Sequence, residues 1–479
     1  MPATGGFAFG PYRLYSQPRR LTRNNAIVPL PAHCFELLYE LVSHAGTLVT
    51  KDALSLAAWP PKAGASDNQL AKAISQLREI LDPTDRHSHI KTESGEGYTF
   101  VVEKQDIDGR LTDVDLEQRL AAHRSLISGR AAIETLERPR IVEAREIFET
   151  LLPEHGDEPR VHIGLAAVYA LLYEATRADD APDIALLRLA LKHSLEAVTL
   201  PPESADAWAA RGFVLDRAGE PDEAVAALQL AVTLQRSNWL HWIRLAYASK
   251  GQARLDAVSG TLSQRKRCPM AHCLAATVYI ERNALSEAER ELDAAIAMVA
   301  ALGAPERFAV VGVYWLKALI CAARGDDDEA VEWCERELTL EQRGHFYTRE
   351  CCANAWYLIG VIWMRRGDSD RAREGFEQAT ARVSRHPMAR VGLALLGVQQ
   401  RDARMPEAEP LSVHAAMAYA AWKVDAGDVP GAANLVAAAL TTARNHRDGW
   451  LVPIEPLLQV QKSPAAWATV LAILLDRAS

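Results

Sequence analysis

Cysteine is scarce in this chain: seven residues in 479, odd in number and irregularly placed. That excludes a disulfide framework and fits reduced thiols. Long apolar runs are missing too. The longest late stretch, around residues 465–475, is too short to cross a bilayer. The opening MPATGGFAFG has neither the basic nor the apolar region of a signal peptide. The phosphate loop G-x-x-x-x-G-K-[ST], the G-x-S-x-G elbow, H-E-x-x-H and the kinase signatures do not occur. The expectation is therefore a soluble, cytoplasmic chain that is not an enzyme and has no cofactor or metal. Positive charge is also in short supply. The net charge is −9, residues 1–102 hold 10 Lys+Arg against 9 Asp+Glu, and residues 103–479 therefore carry −10. A body this acidic does not bind nucleic acid broadly, so any such binding must be local to the N-terminal part.

What is present is a large apolar fraction, 49%, in a chain too long for one hydrophobic core. Ala and Leu dominate and β-branched runs are scarce after Val102, which favours helix. Within the first hundred residues, Leu70, Ile74, Leu77 and Leu81 fall on one side of a helix. Asn68, Lys72, Ser75 and Gln76 fall on the other, at about 100° per residue. One face must pack, and the other offers a cation and amides.

Around that helix the pattern changes. Residues 7–30 alternate as short antiparallel strands, with Gly10, Pro11, Asn24 and Asn25 at the breaks. Pro31 suits the first position of a helix carrying Phe35, Leu37, Leu38, Leu41 and Val42. Lys51–Trp59 reads as a second helix stopped by Pro60 and Pro61, and Ser66 or Asp67 caps the third, which ends before Pro83. Ile90 to Val102 then reads as a β-hairpin with Gly95 and Gly97 at its tip. That G-x-G is a hairpin turn, since it follows no strand–helix unit. Phe35 and Trp59 are read as core.

The segments FGPYRL (9–14), LPAHCFELLYELVSHAGTLVTKDAL (30–54), Trp59, SDNQLAKAISQLREIL (66–81) and IKTESGEGYTF (90–100) resemble the OmpR/PhoB-type winged-helix domain, over about residues 7–102. The resemblance implies that the third helix enters the major groove of double-stranded promoter DNA and that the hairpin is a wing near the backbone. By position, Asn68, Lys72, Ser75 and Gln76 would face base edges, where Asn and Gln suit adenine and Lys suits guanine. Arg78, Thr92 and Ser94 would meet phosphate. The sequence departs from that family where Arg is common: Ser75, Gln76 and Ser94 stand there instead. Glu93 and Glu96 add negative charge to the wing, so fewer phosphate contacts are expected.

From about residue 113 the chain repeats. Trp208, Gly212, Leu215, Gly219, Ala224, Leu228 and Ala231 keep the same spacing as Trp356, Gly360, Trp363, Gly367, Ala372, Phe376 and Ala379. This resembles the 34-residue tetratricopeptide pattern of paired antiparallel helices. Fainter copies fall near residues 125–158, 159–202, 239–270, 269–302, 311–344 and 413–446, and residues 397–412 break the period. One pair cannot bury its apolar face alone, whereas stacked pairs can, and they leave a groove. Trp208, Trp356 and Trp363 sit at packing positions.

Lesser candidates read as structural. Cys268, His272 and Cys273 lack the second half of a zinc site. Cys351–Cys352 reads as buried thiol, Asp326–Asp328 as a helix start, and the QRKR run at 264–267 as solvated surface.

The expected architecture is mainly α: an N-terminal α+β winged helix-turn-helix domain, then an all-α tetratricopeptide solenoid. The expected bounds are 1–104 for the first domain, 105–124 for a linker and first helix, 125–462 for the repeats and 463–479 for a capping helix. The implied role is that of a bacterial, sequence-specific transcriptional regulator, similar to soluble relatives of CadC-like proteins without their membrane span. Its repeats would bind a protein partner, RNA polymerase among the candidates, or a second copy. The alternative is a tetratricopeptide scaffold whose winged helix no longer binds DNA.

Overall fold

The computed structural model describes residues 5–16, 19–23, 26–59, 67–82, 89–93, 95–108, 113–201, 203–302, 310–397, 411–443 and 448–479. The chain forms two compact units, residues 1–121 and 122–479.

Unit 1 begins with β1 (Gly5–Phe9), β2 (Tyr12–Ser16), β3 (Arg19–Arg23) and β4 (Ala26–Val28). Then come α1 (Ala32–Ser43), β5 (Leu48–Thr50), α2 (Lys51–Ala58), α3 (Asp67–Leu81), β6 (Ile90–Glu93), β7 (Gly97–Phe100) and β8 (Gln105–Asp108). The first sheet has the order β4-β3-β2-β1-β8 and the second β5-β7-β6. Pairing of Leu14 with Leu21 places both in a core shared with Phe9, Phe35, Leu38, Leu41, Leu77 and Phe100. Thr50 caps α2, its hydroxyl accepting from the Ala53 amide at 3.3 Å. Trp59 is half-buried rather than central. It packs on the rim of this core and stacks on His33, with ring centroids 5.7 Å apart.

One element was not expected. Gln105–Asp108, within the stretch read as a linker, is a strand antiparallel to β1, with Gly5 opposite Asp108. It is short and polar, so it carries no periodic signal. What creates it is the edge that β1 offers.

Unit 2 is a stack of helix pairs. The pairs are the part of α4 (Asp113–Glu134) from residue 122 onward with α5 (Arg138–His155), α6 (Pro159–Thr176) with α7 (Ile184–Thr199), and α8 (Ala205–Ala218) with α9 (Pro221–Leu234). They continue as α10 (Trp239–Ala248) with α11 (Gly251–Gln264), and α12 (Pro269–Glu281) with α13 (Leu285–Leu302). Next are α14 (Val313–Arg324) with α15 (Asp327–Leu338), and α16 (Thr348–Arg365) with α17 (Ser369–Arg382). Then follow α18 (Pro387–Leu395), the pair α19 (Val413–Asp425) and α20 (Val429–Thr442), and α21 (Ala468–Arg477). Most of the expected break at 397–412 lies outside the described residues.

The repeat spacing has a steric origin. A Cβ on Gly212 would sit 2.5 Å from Leu228 Cγ, and one on the equivalent Gly360 would sit 2.7 Å from the Phe376 ring. Each first helix must be bare where the large residue of its partner enters. Trp208, Trp356 and Trp363 are half-buried against the apolar clusters, and Arg371 lies over the Trp363 ring at 4.3 Å.

The array curves back on itself. The Phe346 amide donates to the Leu136 carbonyl at 2.8 Å, Arg349 pairs with Asp179 at 2.7 Å, and Arg177 pairs with Glu350 at 2.7 Å. The C-terminal segment also returns. The turns at Val452–Ile454 pack on α12 and α14, Gln461 donates to Asn283 at 2.6 Å, and Arg365 donates to the Pro456 carbonyl at 2.7 Å. Arg282 then reaches the Ala478 carbonyl at 2.6 Å. The terminal helix α21 packs on α20, as a cap does, and also on α12.

This return buries a carboxyl. Glu455 accepts a hydrogen bond from the Tyr357 hydroxyl, and burial pushes its pKa up to about 7. A native pKa above the unfolded value stabilises the fold at low pH. That contribution is lost as pH rises from the unfolded value of about 4.5 toward 7. Glu455→Gln stays neutral throughout. Urea unfolding at about pH 5 and pH 8 should therefore show the wild type losing roughly 2–3 kcal/mol relative to E455Q over that interval. Parallel pH dependence in the two proteins would contradict this assignment.

Candidate nucleic-acid interface

The third helix is two-faced in the structure as in the sequence. Leu70, Ala73, Ile74, Leu77 and Leu81 are buried. Asn68, Lys72, Ser75 and Gln76 are all exposed. The side chains of Asn68, Lys72 and Ser75 have no hydrogen-bond or ion-pair partner among the described residues. Gln76 accepts a long contact from the Cys34 thiol of α1 at 3.6 Å, with its exposed NH2 group unpaired among the described residues. Burial raises the Cys34 pKa, so that thiol stays protonated as a donor.

Both ends of this helix are fixed. At its start, Lys51 of α2 pairs with Asp67 at 2.8 Å. At its end, the Tyr12 hydroxyl donates to the Leu81 carbonyl at 2.9 Å. Asp82 then receives His89 twice, from its amide at 3.0 Å and its Nδ1 at 2.6 Å. The hairpin β6–β7 therefore leaves the helix at a set point.

Arg78 ties the two together. Its Nε and Nη2 donate to the Ile90 carbonyl at 3.1 and 2.8 Å, and Nη2 also donates to Thr92 Oγ1 at 2.8 Å. The guanidinium lies 5.9 Å from the Tyr98 ring centre. These bonds use three of its five donors and leave the two on Nη1 unused among the described residues. Burial lowers the Arg78 pKa. Thr92 accepts from Arg78 and retains its own O–H to donate. Ser94 lies outside the described residues. Its neighbours Glu93 and Glu96 are exposed, as is Lys91, a wing cation that the sequence reading passed over. Lys91 has no partner among the described residues and adds a positive charge beside Thr92.

The wing is narrow by necessity. A Cβ on Gly97 would meet the Val49 carbonyl oxygen at 2.0 Å, because β7 runs between β5 and β6. Gly95, at φ +84°, turns the hairpin in the left-handed region.

Other candidates are structural. His272 pairs with Glu291 at 2.7 Å, and Cys268 and Cys273 are buried. Burial pushes the Cys352 thiol up to about 12 and raises Cys351 as well, so neither is a ready thiolate. Inside unit 2, a cavity of about 130 Å³ is lined by Phe213, Arg217, Trp239, Ile243, Arg244 and Tyr247. Among the described residues, no helix is long and apolar enough to cross a membrane.

Comparison with known proteins fits these two units. Residues 24–100 match the family described as transcriptional regulatory protein, C terminal. Residues 205–238 match the tetratricopeptide repeat family. The response regulator protein GraR of Staphylococcus epidermidis, from two strains, is 37% identical over 62 residues. That match covers 13% of this chain and 28% of the relatives' length. Among solved structures, the Klebsiella pneumoniae RstA DNA-binding domain in complex with the RstA box is similar at 29% identity. It covers 20% of this chain and 96% of that one, with a TM-score of 0.18. A tetratricopeptide repeat protein from Parabacteroides merdae is similar at 14% identity, covering 58% of this chain and 99% of that one, with a TM-score of 0.40. The chain thus carries an OmpR/PhoB-type winged-helix domain of the kind found in transcriptional regulators, followed by tetratricopeptide repeats.

Proposed function

We propose that this chain is a sequence-specific transcriptional regulator of the bacterial cytoplasm, with α3 reading the major groove of promoter DNA. The observation that carries this reading is the exposed row Asn68, Lys72, Ser75 and Gln76 on a helix fixed at both ends, with a wing bolted to it by Arg78. A helix of this kind brings donors and acceptors to base edges without a backbone-ordering cost, leaving only side-chain rotamers to be fixed. Thr92, Ser94 and the free donors of Arg78 would meet phosphate. The repeats bind a protein partner, such as RNA polymerase or a second copy. The C-terminal return covers part of α12 and α14, so that partner sits on the remaining surface.

Mapping of bound DNA across the genome should yield sites that share one motif and lie upstream of genes. Binding without a shared motif would contradict the reading. A second reading, a scaffold whose winged helix has lost DNA affinity, is favoured by the exposed Glu93 and Glu96 and predicts no bound sites at all. The acidic wing also makes a prediction of its own. Ser94→Arg adds one cation, so the slope of log K against log salt should steepen by about 0.9. An unchanged slope in a salt titration of binding would place the wing away from phosphate.

A further inference from the structure

The pair α6–α7 brings His162 of one helix to His193 and Glu196 of the other, which lie one turn apart. His162 and His193 are buried, at 3% and 5% exposure, while Glu196 is half-buried and opens the cluster to solvent. His162 Nδ1 lies 2.9 Å from His193 Nδ1 and 3.0 Å from Glu196 Oε2, and His193 Nδ1 lies 3.9 Å from the same oxygen. Among the described residues this is the one group of three or more such side chains whose donor atoms converge.

Proton accounting shows what the cluster lacks. His162 Nε2 lies 3.0 Å from the Gly156 carbonyl. A carbonyl only accepts, so that nitrogen carries the hydrogen and Nδ1 of the neutral ring is a lone pair. His193 Nδ1 can donate one proton to that lone pair. Glu196 Oε2 then still faces the His162 lone pair at 3.0 Å, acceptor against acceptor. A positive charge belongs between them, either a second proton on His162 or a metal ion. The spacing fits a metal ion: tetrahedral bonds of about 2.0–2.1 Å put ligand atoms roughly 3.3 Å apart. The three distances bracket that value.

The surroundings hold the donors in place. A backbone carbonyl on the far ring nitrogen is the usual support of a metal-bound histidine. The Tyr169 ring stacks on His193 with centroids 5.7 Å apart. Lys192 approaches the other oxygen, Oε1, at 4.0 Å, so Oε2 is the one turned to the histidines.

We propose that His162, His193 and Glu196 bind a divalent transition ion of the zinc type, with water completing the shell, and that the ion clamps α6 to α7. Two imidazoles with one carboxylate suit zinc-type ions and not the oxygen shells of Mg²⁺ or Ca²⁺. The test is calorimetric titration of Zn²⁺ into full-length protein stripped with a chelator. One equivalent should bind, and His193→Gln and Glu196→Gln, each removing a direct ligand, should weaken it by at least the roughly 10- to 100-fold that loss of a mere supporting partner costs. Glu196 is half-buried, so E196Q tests the site without threatening the fold. His272→Gln, outside the cluster, should bind as the wild type does. Absence of saturable binding, or binding unchanged in both H193Q and E196Q, would overturn the proposal.

Discussion

Replacing Lys72 and Gln76 together by alanine should abolish sequence-specific DNA binding while leaving unit 1 folded. Both side chains are exposed on α3, one turn apart on its outer face. Each good base contact is worth about 1–3 kcal/mol of discrimination, so losing two lowers affinity for the preferred duplex by roughly 10²- to 10⁴-fold. The fold loses little. Alanine is the best helix former, Lys72 has no partner among the described residues, and Gln76 gives up one long contact from a thiol. A gel-shift titration with the duplex preferred by the wild type, beside circular dichroism of both proteins, checks this. Unchanged affinity would remove α3 from the interface.

Gly97→Val should be far more damaging to the fold. A Cβ at residue 97 falls 2.0 Å from the Val49 carbonyl oxygen and 3.0 Å from Thr50 Cα, both backbone atoms. No rotamer change relieves a clash with backbone, so β7 must leave β5. The break also strands Phe100 and Tyr98, which are buried in the core of unit 1. A loss of roughly 3–5 kcal/mol is expected, a large part of the stability of a domain this size. Thermal unfolding should show the melting temperature of unit 1 falling by more than about 10 °C, with DNA affinity falling beside it. A melting curve matching the wild type would contradict the tight approach of β5 and β7.

The outer face of α3 was legible in the sequence because 3.6-residue periodicity and the Pro83 stop are local signals. The repeats were legible for a similar reason, since Gly212 with Leu228 and Gly360 with Phe376 repeat one steric solution. What escaped depends on tertiary proximity. β8 exists only because β1, about a hundred residues earlier, presents an edge. The Arg78 tie to Ile90 and Thr92 crosses from helix to wing and has no sequence signature. The return of the C-terminal segment to Asn283, Tyr357 and Arg365 follows no period. The cluster of His162, His193 and Glu196 was hidden for the same reason: only Glu196 lies within one helical turn of His193, and His162 comes from the neighbouring helix.

The central claim is that α3 and the wing read duplex DNA by sequence. Selection of bound molecules from a random-duplex pool, using the purified full chain at physiological salt, tests it most directly. The account predicts enrichment of one motif, and loss of affinity by roughly 1–3 kcal/mol for each base pair changed within it. A pool that stays random through successive rounds would contradict it and leave the chain as a repeat scaffold.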